Sequence, residues 1–242
     1  MNYKETAIKI LTECSRLLIG VVFIFSGFVK AVDPMGGAIK IGDYLTSFGL
    51  DMLQPFTVLA SFALSAAEFA MGVCMLLGVY RRYNSFLVLL FMAFMTPLTL
   101  YLAIFNPVSD CGCFGDAVVI TNWETFFKNL VLSAAAIMVF MNCGKMFQCF
   151  TYKVYWFVAL FSYFFCIGFA YWNYNHLPVM DFRPYKIGAN IPSLMAIPDG
   201  APEDEYKYTF VYEKDGVQKE FSLENYPQND STWTFVESKT EL

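Results

Sequence analysis

The sequence has few charged residues and a single histidine, and these shortages exclude whole classes of protein. Only 15% of its 242 residues are charged, whereas about a quarter is usual in soluble domains. His176 is the one histidine and the 16 Lys and Arg residues form no basic patch, so nucleic-acid binding is not expected. The hydrophobic share is 57%, with 26 Phe and 15 Tyr. A soluble domain of this length cannot bury so much apolar surface, and a polytopic membrane protein is predicted.

Five apolar segments are long enough to cross a lipid bilayer, which selects about 20 consecutive apolar residues. The first resembles the apolar core of a signal peptide, but four more follow and no clean cleavage site appears, so we expect it to be retained as a helix. The predicted fold class is an all-α polytopic membrane protein with a bundle of four helices and a fifth transmembrane helix. The predicted spans are 13–32, 56–79, 84–105, 123–142 and 154–172.

Basic residues lie in alternate connections, and this asymmetry predicts the orientation. The connection between the third and fourth spans has no Lys or Arg. The N-terminus is therefore expected in the cytoplasm of a bacterium, while segment 33–55, the loop before the fourth span and the C-terminus are expected in the periplasm. The cytoplasmic basic residues are Lys4, Lys9, Arg16, Arg81, Arg82, Lys145 and Lys153.

The character of the chain changes after residue 178. Prolines 178, 184, 192, 198 and 202 indicate an extended linker, since proline lacks a backbone donor. The stretch YKYTFVYEKDGVQKEFSL predicts a β-hairpin with a turn at Asp215-Gly216, and 231–238 is a candidate third strand. We therefore predict a four-helix unit over 1–142, a cytoplasmic loop and fifth helix over 143–177, and a small β-rich periplasmic appendage over 178–242.

The loop between the third and fourth spans contains the stretch DCGCFGD at 110–116. On the periplasmic side disulfides form and persist. Cys111 and Cys113 would close a small, strained ring, and strained exposed disulfides are the reducible, catalytic kind. Gly112 and Gly115 supply the backbone freedom that such a turn needs.

Three interpretations of this cysteine pair are open. It is a site of thiol–disulfide exchange, or a permanent disulfide or buried thiol pair that shapes the loop, or a metal clip. The metal clip has the least support, because a structural metal needs about four Cys, His or carboxylate ligands and the neighbourhood offers only aspartates. No metal is therefore expected.

A second group of candidate residues lies inside the apolar spans. Glu68 sits near the middle of the second span, and an acid in the bilayer marks a functional site unless it is protonated and holds the bundle together by hydrogen bonds. Ser26 and Lys30 are four residues apart and share a face of the first helix, although Lys30 could instead extend to the headgroups. With Thr96 and Asn129, these side chains are predicted to line a polar pocket beneath the cysteines or to relay protons.

These features resemble those of the DoxX-like membrane protein family, and most closely its MauE-like branch. The resemblance covers roughly residues 10–142 and rests on FSGFVKAVDPMG at the end of the first span, on Glu68, on the RRY turn, and on the CGCFG loop followed by Trp123 and Asn129. It implies a four-helix bundle in the inner membrane with a role in envelope redox chemistry. Members of the wider group are linked to thiosulfate:quinone oxidoreduction, and the MauE branch to disulfide formation in a periplasmic partner.

By this resemblance Cys111 and Cys113 would be the exchanging pair and the pocket would hold a quinone. Two features depart from the family pattern: the fifth helix with its acidic appendage lies outside the shared unit, and no second cysteine pair is evident on the outer face. The leading hypothesis is thiol–disulfide redox with a periplasmic thiol protein or redox partner subunit. The alternative is a non-enzymatic membrane subunit or assembly factor with a structural cysteine pair, and a transporter using Glu68 has less support.

Overall fold

The computed structural model describes residues 3–108, 111–183, 186, 188–195, 207–214, 217–222 and 233–241. The chain forms two compact units, Met1–Gly188 and Ala189–Leu242. Five helical segments of the first unit are long and apolar enough to cross a membrane. The predicted fold class is confirmed: the protein is a multi-pass, mainly helical membrane protein with a small β-sheet near its C-terminus.

The transmembrane helices follow the predicted spans closely, with the largest extension at the N-terminus. The bundle also contains a shorter helix that the sequence analysis did not predict, α2. The helices of the first unit are α1 (Tyr3–Val32), α2 (Pro34–Ser47), α3 (Thr57–Leu77), α4 (Arg81–Phe105), α5 (Asn122–Met141) and α6 (Tyr155–Asn175).

Helix α2 occupies the segment that the sequence analysis treated only as the connection between the first two spans. Asp33 caps its N-terminus by accepting a hydrogen bond from the backbone N–H of Gly36 at 2.9 Å, and Pro34 takes the first helical position. Proline is favoured there because its missing N–H has no partner in the first turn. The Asp-Pro pair therefore ends α1 and starts α2, which brings Tyr44 to the cysteine loop.

Helices α1 and α3 approach each other closely because glycine faces the partner backbone on both sides. A Cβ atom on Gly27 would lie 2.5 Å from the backbone nitrogen of Phe69, and one on Gly72 would lie 2.6 Å from that of Ile24. Small residues allow such close contact between membrane helices. The contact sets Ser26 beside α3.

The core of the first unit lies between α1, α3, α4 and α5, and α6 packs on the outside of α1 and α3. At this second contact Ala31, Ala66 and Ala170 are buried together with Cys166. The side-chain amide of Asn173 donates to the carbonyl of Ala31 at 3.1 Å. Many large apolar side chains on the outer faces stay exposed, as expected of a surface that contacts lipid. The buried core residues are Ile19, Phe23, Met75, Val88, Met92, Leu132, Ala135, Ala136, Val139 and Met146.

The second unit contains a short helix, α7 (Ile191–Met195), and a three-stranded antiparallel sheet. The strands are β1 (Lys207–Lys214), β2 (Val217–Ser222) and β3 (Thr234–Glu241), in the order β2-β1-β3. The predicted hairpin and third strand are confirmed. The predicted turn residues Asp215 and Gly216, and linker prolines 184, 198 and 202, lie outside the described residues.

Candidate functional site

The loop between α4 and α5 carries the cysteine pair into the end of the helical bundle. Cys111 and Cys113 are both buried, with 8% and 7% of their surface exposed. They are free thiols whose sulfur atoms lie 3.0 Å apart. Gly112 between them has a φ of +63°, a left-handed conformation that glycine adopts without strain. The turn at Gly112 therefore brings the two thiols into direct contact.

The backbone on each side of the turn is fixed by a side chain from a different helix. The hydroxyl of Tyr44 on α2 donates a hydrogen bond to the carbonyl of Cys111 at 2.6 Å. The hydroxyl of Ser26 on α1 lies 2.7 Å from the carbonyl of Cys113. These contacts hold the thiols against the bundle.

A buried ion pair lies directly beneath Cys113. Lys30 Nζ is 2.7 Å from both carboxylate oxygens of Glu68, and it also donates to Ser26 Oγ at 3.0 Å. Ser26 Oγ is 2.7 Å from Glu68 Oε2 as well as from the Cys113 carbonyl. A hydroxyl has one proton, so Ser26 donates to one of these two oxygens at a time. Ser26 thus connects the ion pair to the cysteine loop.

Four of the predicted pocket residues share one cavity with Cys113: Ser26, Lys30, Glu68 and Asn129. The cavity measures about 30 Å³, which is room for one or two water molecules. Its remaining walls are apolar or aromatic apart from Lys128, and consist of Val22, Phe23, Phe91, Met92, Met95, Phe114 and Leu132.

Thr96 does not line this cavity, and its hydroxyl instead lies 2.7 Å from that of Ser133 on α5. Asn129 is tied to α4 by a hydrogen bond to Thr99 at 3.3 Å. Thr96 and Thr99 therefore join α4 to α5. Of the two predicted residues Thr96 and Asn129, Asn129 is the one that lines the cysteine cavity.

Three residues near the pair were missed in the sequence analysis. Tyr44 and Lys40 are on α2, whose start was signalled by Asp33 and Pro34. Lys128 lies inside an apolar span, next to Asn129, and an intramembrane lysine is itself a signal of function. Its ammonium lies 4.1 Å from the centroid of the Phe114 ring.

The two thiols are electrostatically unequal. The hydrogen bond between the thiols lowers the pKa of Cys113 to about 6, and the positive charges of Lys128 and Lys30 act in the same direction. The same hydrogen bond, followed by burial, raises the pKa of Cys111. These opposite shifts favour Cys113 over Cys111 as the thiolate of the reduced pair.

Two further cavities adjoin the loop. One, of about 60 Å³, is lined by both cysteines and by residues of α2, including Lys40 and Tyr44. The other, of about 120 Å³, lies against Gly112 and Gly115 and is bordered by the segment after α6. Among the described residues, no group of three or more His, Cys, Asp or Glu side chains is placed to hold a metal ion.

Comparison with known proteins gives two family matches. The family model described as methylamine utilisation protein MauE matches residues 8–142, and a domain of unknown function, DUF8463, matches residues 206–242. The comparisons with curated proteins and with solved structures gave no match. The MauE match covers more than half of the chain and includes α2 to α5, nearly all of α1, the cysteine loop and the buried ion pair. The chain therefore belongs to the MauE family of polytopic membrane proteins.

Proposed function

We propose that the protein carries out thiol–disulfide exchange through Cys111 and Cys113 with a thiol protein on the periplasmic side of the inner membrane. The observation that carries this proposal is the contact of two free thiols, 3.0 Å apart, above a buried ion pair in a membrane bundle. Packing alone does not require a Lys30–Glu68 pair here, because taking two charges out of water costs several kcal/mol per ion, and ionisable residues inside a membrane bundle are a mark of function.

The proposed reaction begins with a disulfide between the two cysteines. A partner thiolate attacks one sulfur, forms a mixed disulfide and releases the other cysteine as a thiolate. The partner's second thiolate then attacks the partner sulfur of the mixed disulfide, which yields the partner's disulfide and releases the remaining cysteine. The partner loses two electrons and the pair gains them. An oxidised dithiol protein returns the pair to the disulfide by the same steps in reverse.

Protons must move when the pair changes state, and the buried polar groups support a path for them. A proton that leaves the Cys111 thiol on oxidation needs an acceptor, and Glu68 lies beneath the loop. Ser26 spans the distance between the Glu68 carboxylate and the Cys113 carbonyl, and the adjoining cavity has room for water. We propose Glu68 as the acceptor, with Lys30 as its ion-pair partner at 2.7 Å.

The periplasmic location of the loop is supported by the clustering of basic residues at the opposite end of the bundle. Arg16 donates to the carbonyls of Met75 and Leu76 at the end of α3. Arg81 donates to the carbonyl of Met146 at 2.7 Å. Basic residues are retained on the cytoplasmic side of membrane proteins, so the cysteine loop faces the other compartment in this proposal.

A quinone stays a prediction from the family resemblance. The two cavities that contact the cysteines measure about 30 and 60 Å³, which is room for a few water molecules and too little for a quinone ring. A ring would have to displace a wall residue such as Phe114 or Met95. The described residues thus do not fit the group as they stand, and the proposed reaction uses protein thiols alone.

The alternative function is a membrane subunit or assembly factor in which the cysteine pair only shapes the loop. The hydrogen bonds from Tyr44 and Ser26 favour this alternative to the extent that they immobilise the turn. Both functions use the same geometry, and they differ in whether the pair exchanges electrons with another dithiol.

Disulfide transfer to a reduced dithiol peptide tests the proposal. The purified protein in lipid nanodiscs is oxidised with glutathione disulfide, freed of it, and mixed with the peptide; acid quenching and thiol labelling then give the redox state of both. We expect one peptide disulfide per protein and two new thiols at Cys111 and Cys113. The control variant is Cys149→Ala, at the opposite end of the bundle, which should transfer normally. A pair that stays oxidised while the peptide stays reduced would support the structural alternative instead.

A further inference from the structure

We propose that Lys128 is a positioning residue that holds Cys113 as the thiolate of the reduced pair, so that Cys113 is the leaving group and the partner bonds to Cys111. This inference rests on the proposed function, since it assigns unequal roles to the two exchanging cysteines. It concerns a residue in α5 that is outside the buried ion pair.

The position of Lys128 is fixed by the residue that follows Cys113. The Lys128 ammonium packs over the ring of Phe114 at 4.1 Å from its centroid, which is within the range of a cation–π contact. Lys128, Phe114 and Cys113 line the same small cavity. The side chain is thus held at the wall of a small cavity that Cys113 also lines, where electrostatic attraction is stronger than in water.

The charges around this cavity balance only if Cys113 is a thiolate. Lys30 is neutralised by Glu68 through two contacts of 2.7 Å. Within the described part of the chain, Lys128 has no carboxylate at ion-pair distance, and its ammonium contacts the Phe114 ring. Cys113 is the remaining group of the cavity lining that can become negative. A neutral cavity therefore pairs Lys30 with Glu68 and Lys128 with the Cys113 thiolate.

Besides the ion pair on α1 and α3, helix α2 brings polar groups to the cysteines. Lys40 and Tyr44 on α2 line the neighbouring cavity together with both cysteines. Tyr44 also donates to the carbonyl of Cys111, and α4 contributes only apolar side chains, Met95 and Leu98, to that cavity. Among the described residues that line these two cavities, Glu68 is the one carboxylate, and it is paired with Lys30.

This asymmetry determines the direction of exchange. Thiol–disulfide exchange is faster when the sulfur that leaves has the lower thiol pKa, because that sulfur is the better leaving group. The partner thiolate therefore attacks Cys111, and the bonding electron pair stays on Cys113 as a thiolate beside Lys128. The Cys111–partner disulfide is then resolved by the partner's second thiolate, and Cys111 leaves as a thiolate that takes up one proton.

The test compares Lys128→Met with Lys128→Arg. Methionine keeps the length of the side chain and a favourable sulfur contact with Phe114 but has no charge, whereas arginine keeps the charge. The rate of iodoacetamide alkylation of Cys113 in the reduced protein is followed from pH 5 to pH 9 by mass spectrometry of the loop peptide. Removal of an adjacent opposite charge shifts a pKa by about one unit or more. In Lys128→Met the midpoint should therefore rise by about one unit, and alkylation at pH 6 should slow roughly fivefold.

The redox potential gives an independent reading of the same effect. A tenfold loss of thiolate stabilisation lowers the reduction potential of the pair by about 30 mV in Lys128→Met, and Lys128→Arg should restore both the potential and the alkylation midpoint. If the midpoint is the same in all three proteins, the inference is overturned. If either variant does not fold, Phe114→Leu removes the ring that holds Lys128 and should shift the midpoint upward; an unchanged midpoint there also overturns the inference.

Failure of this inference is distinguishable from failure of the proposed function. Alkylation reports the ionisation of Cys113 whether or not any partner exists. Disulfide transfer to the dithiol peptide reports exchange whichever cysteine is ionised. If the disulfide is transferred to the peptide but the Cys113 alkylation midpoint does not change in Lys128→Met, the exchange function stands and Lys128 has no part in it. If the midpoint shifts but no disulfide is transferred, the role of Lys128 is supported and the exchange function is contradicted.

Discussion

Lys30 on α1 and Glu68 on α3 form a buried ion pair in which the ammonium lies 2.7 Å from both carboxylate oxygens. The side chains of Lys30 and Glu68 are only 10% and 4% exposed to solvent. Ser26 extends the pair to the Cys113 carbonyl. Two charged residues that are far apart in sequence thus form an ion pair that contacts the cysteine loop through Ser26.

Removal of one member of this pair should be costly. Glu68→Gln leaves the Lys30 ammonium buried without its counter-charge, and such a loss typically destabilises a protein by about 3–5 kcal/mol. Unfolding in dodecyl sulfate titrations measures the change. The double variant Lys30→Met with Glu68→Met removes both charges and should recover most of the stability. A single variant as stable as the unmodified protein would contradict the assigned ion pair.

A methyl group added to α1 at its contact with α3 should destabilise the protein. Gly27→Ala places a Cβ atom 2.5 Å from the backbone nitrogen of Phe69, and overpacking of this kind costs about 1–3 kcal/mol. Gly168→Ala on α6 is the matched control, because nothing lies within 4 Å of its added Cβ atom. Thermal unfolding should show a loss for the first variant and none for the second; equal behaviour would exclude the close helix contact.

The Tyr44 hydroxyl should hold the cysteine turn in place. Tyr44→Phe removes its hydrogen bond to the Cys111 carbonyl, a loss of about 1 kcal/mol, and should speed the alkylation of Cys111 by loosening the loop. Tyr101→Phe is the control, since Tyr101 packs against Phe48 and Phe105 through its ring. If both variants alkylate at the same rate as the unmodified protein, the hydroxyl does not restrain the loop.

The reduction potential should depend on pH with a break near the pKa of Cys113. That pKa is lowered to about 6, and the pKa of Cys111 is raised. Below pH 6 reduction takes up two electrons and two protons, so the potential should fall by about 59 mV per pH unit. Above the break Cys113 stays a thiolate and reduction takes up one proton, so the potential should fall by only about 30 mV per pH unit. A constant steep slope from pH 5 to pH 8 would contradict the thiolate assignment.

Hydrophobic runs predicted the transmembrane helices because a bilayer accepts few other structures of that length and composition. The same reasoning located Cys113, Glu68 and Lys30, since charged or reactive residues stand out in an apolar context. The ion pair itself could not be deduced, because its members lie on different helices and the rotation of one helix against another depends on contacts such as that of Gly27 with Phe69.

Helix α2 shows why other features escaped prediction. Its sequence is short and contains several glycines, so the hydrophobic pattern is weak, and only Asp33 and Pro34 indicate a helix start. Tyr44 consequently had no predicted position. Lys128 was missed for a different reason: in sequence it is one lysine at the outer part of a span, and its role depends on the ring of Phe114, which the loop brings to it from another segment.

The most direct measurement of the central claim is the reduction potential of the Cys111–Cys113 pair in the purified protein, by mass tagging of thiols across glutathione and dithiothreitol buffers. An exchanging pair with a stabilised thiolate should have a midpoint above about −270 mV, the range of disulfide-exchange proteins. A pair that remains oxidised below about −300 mV, where structural disulfides lie, would contradict the exchange function and leave the loop as a structural turn.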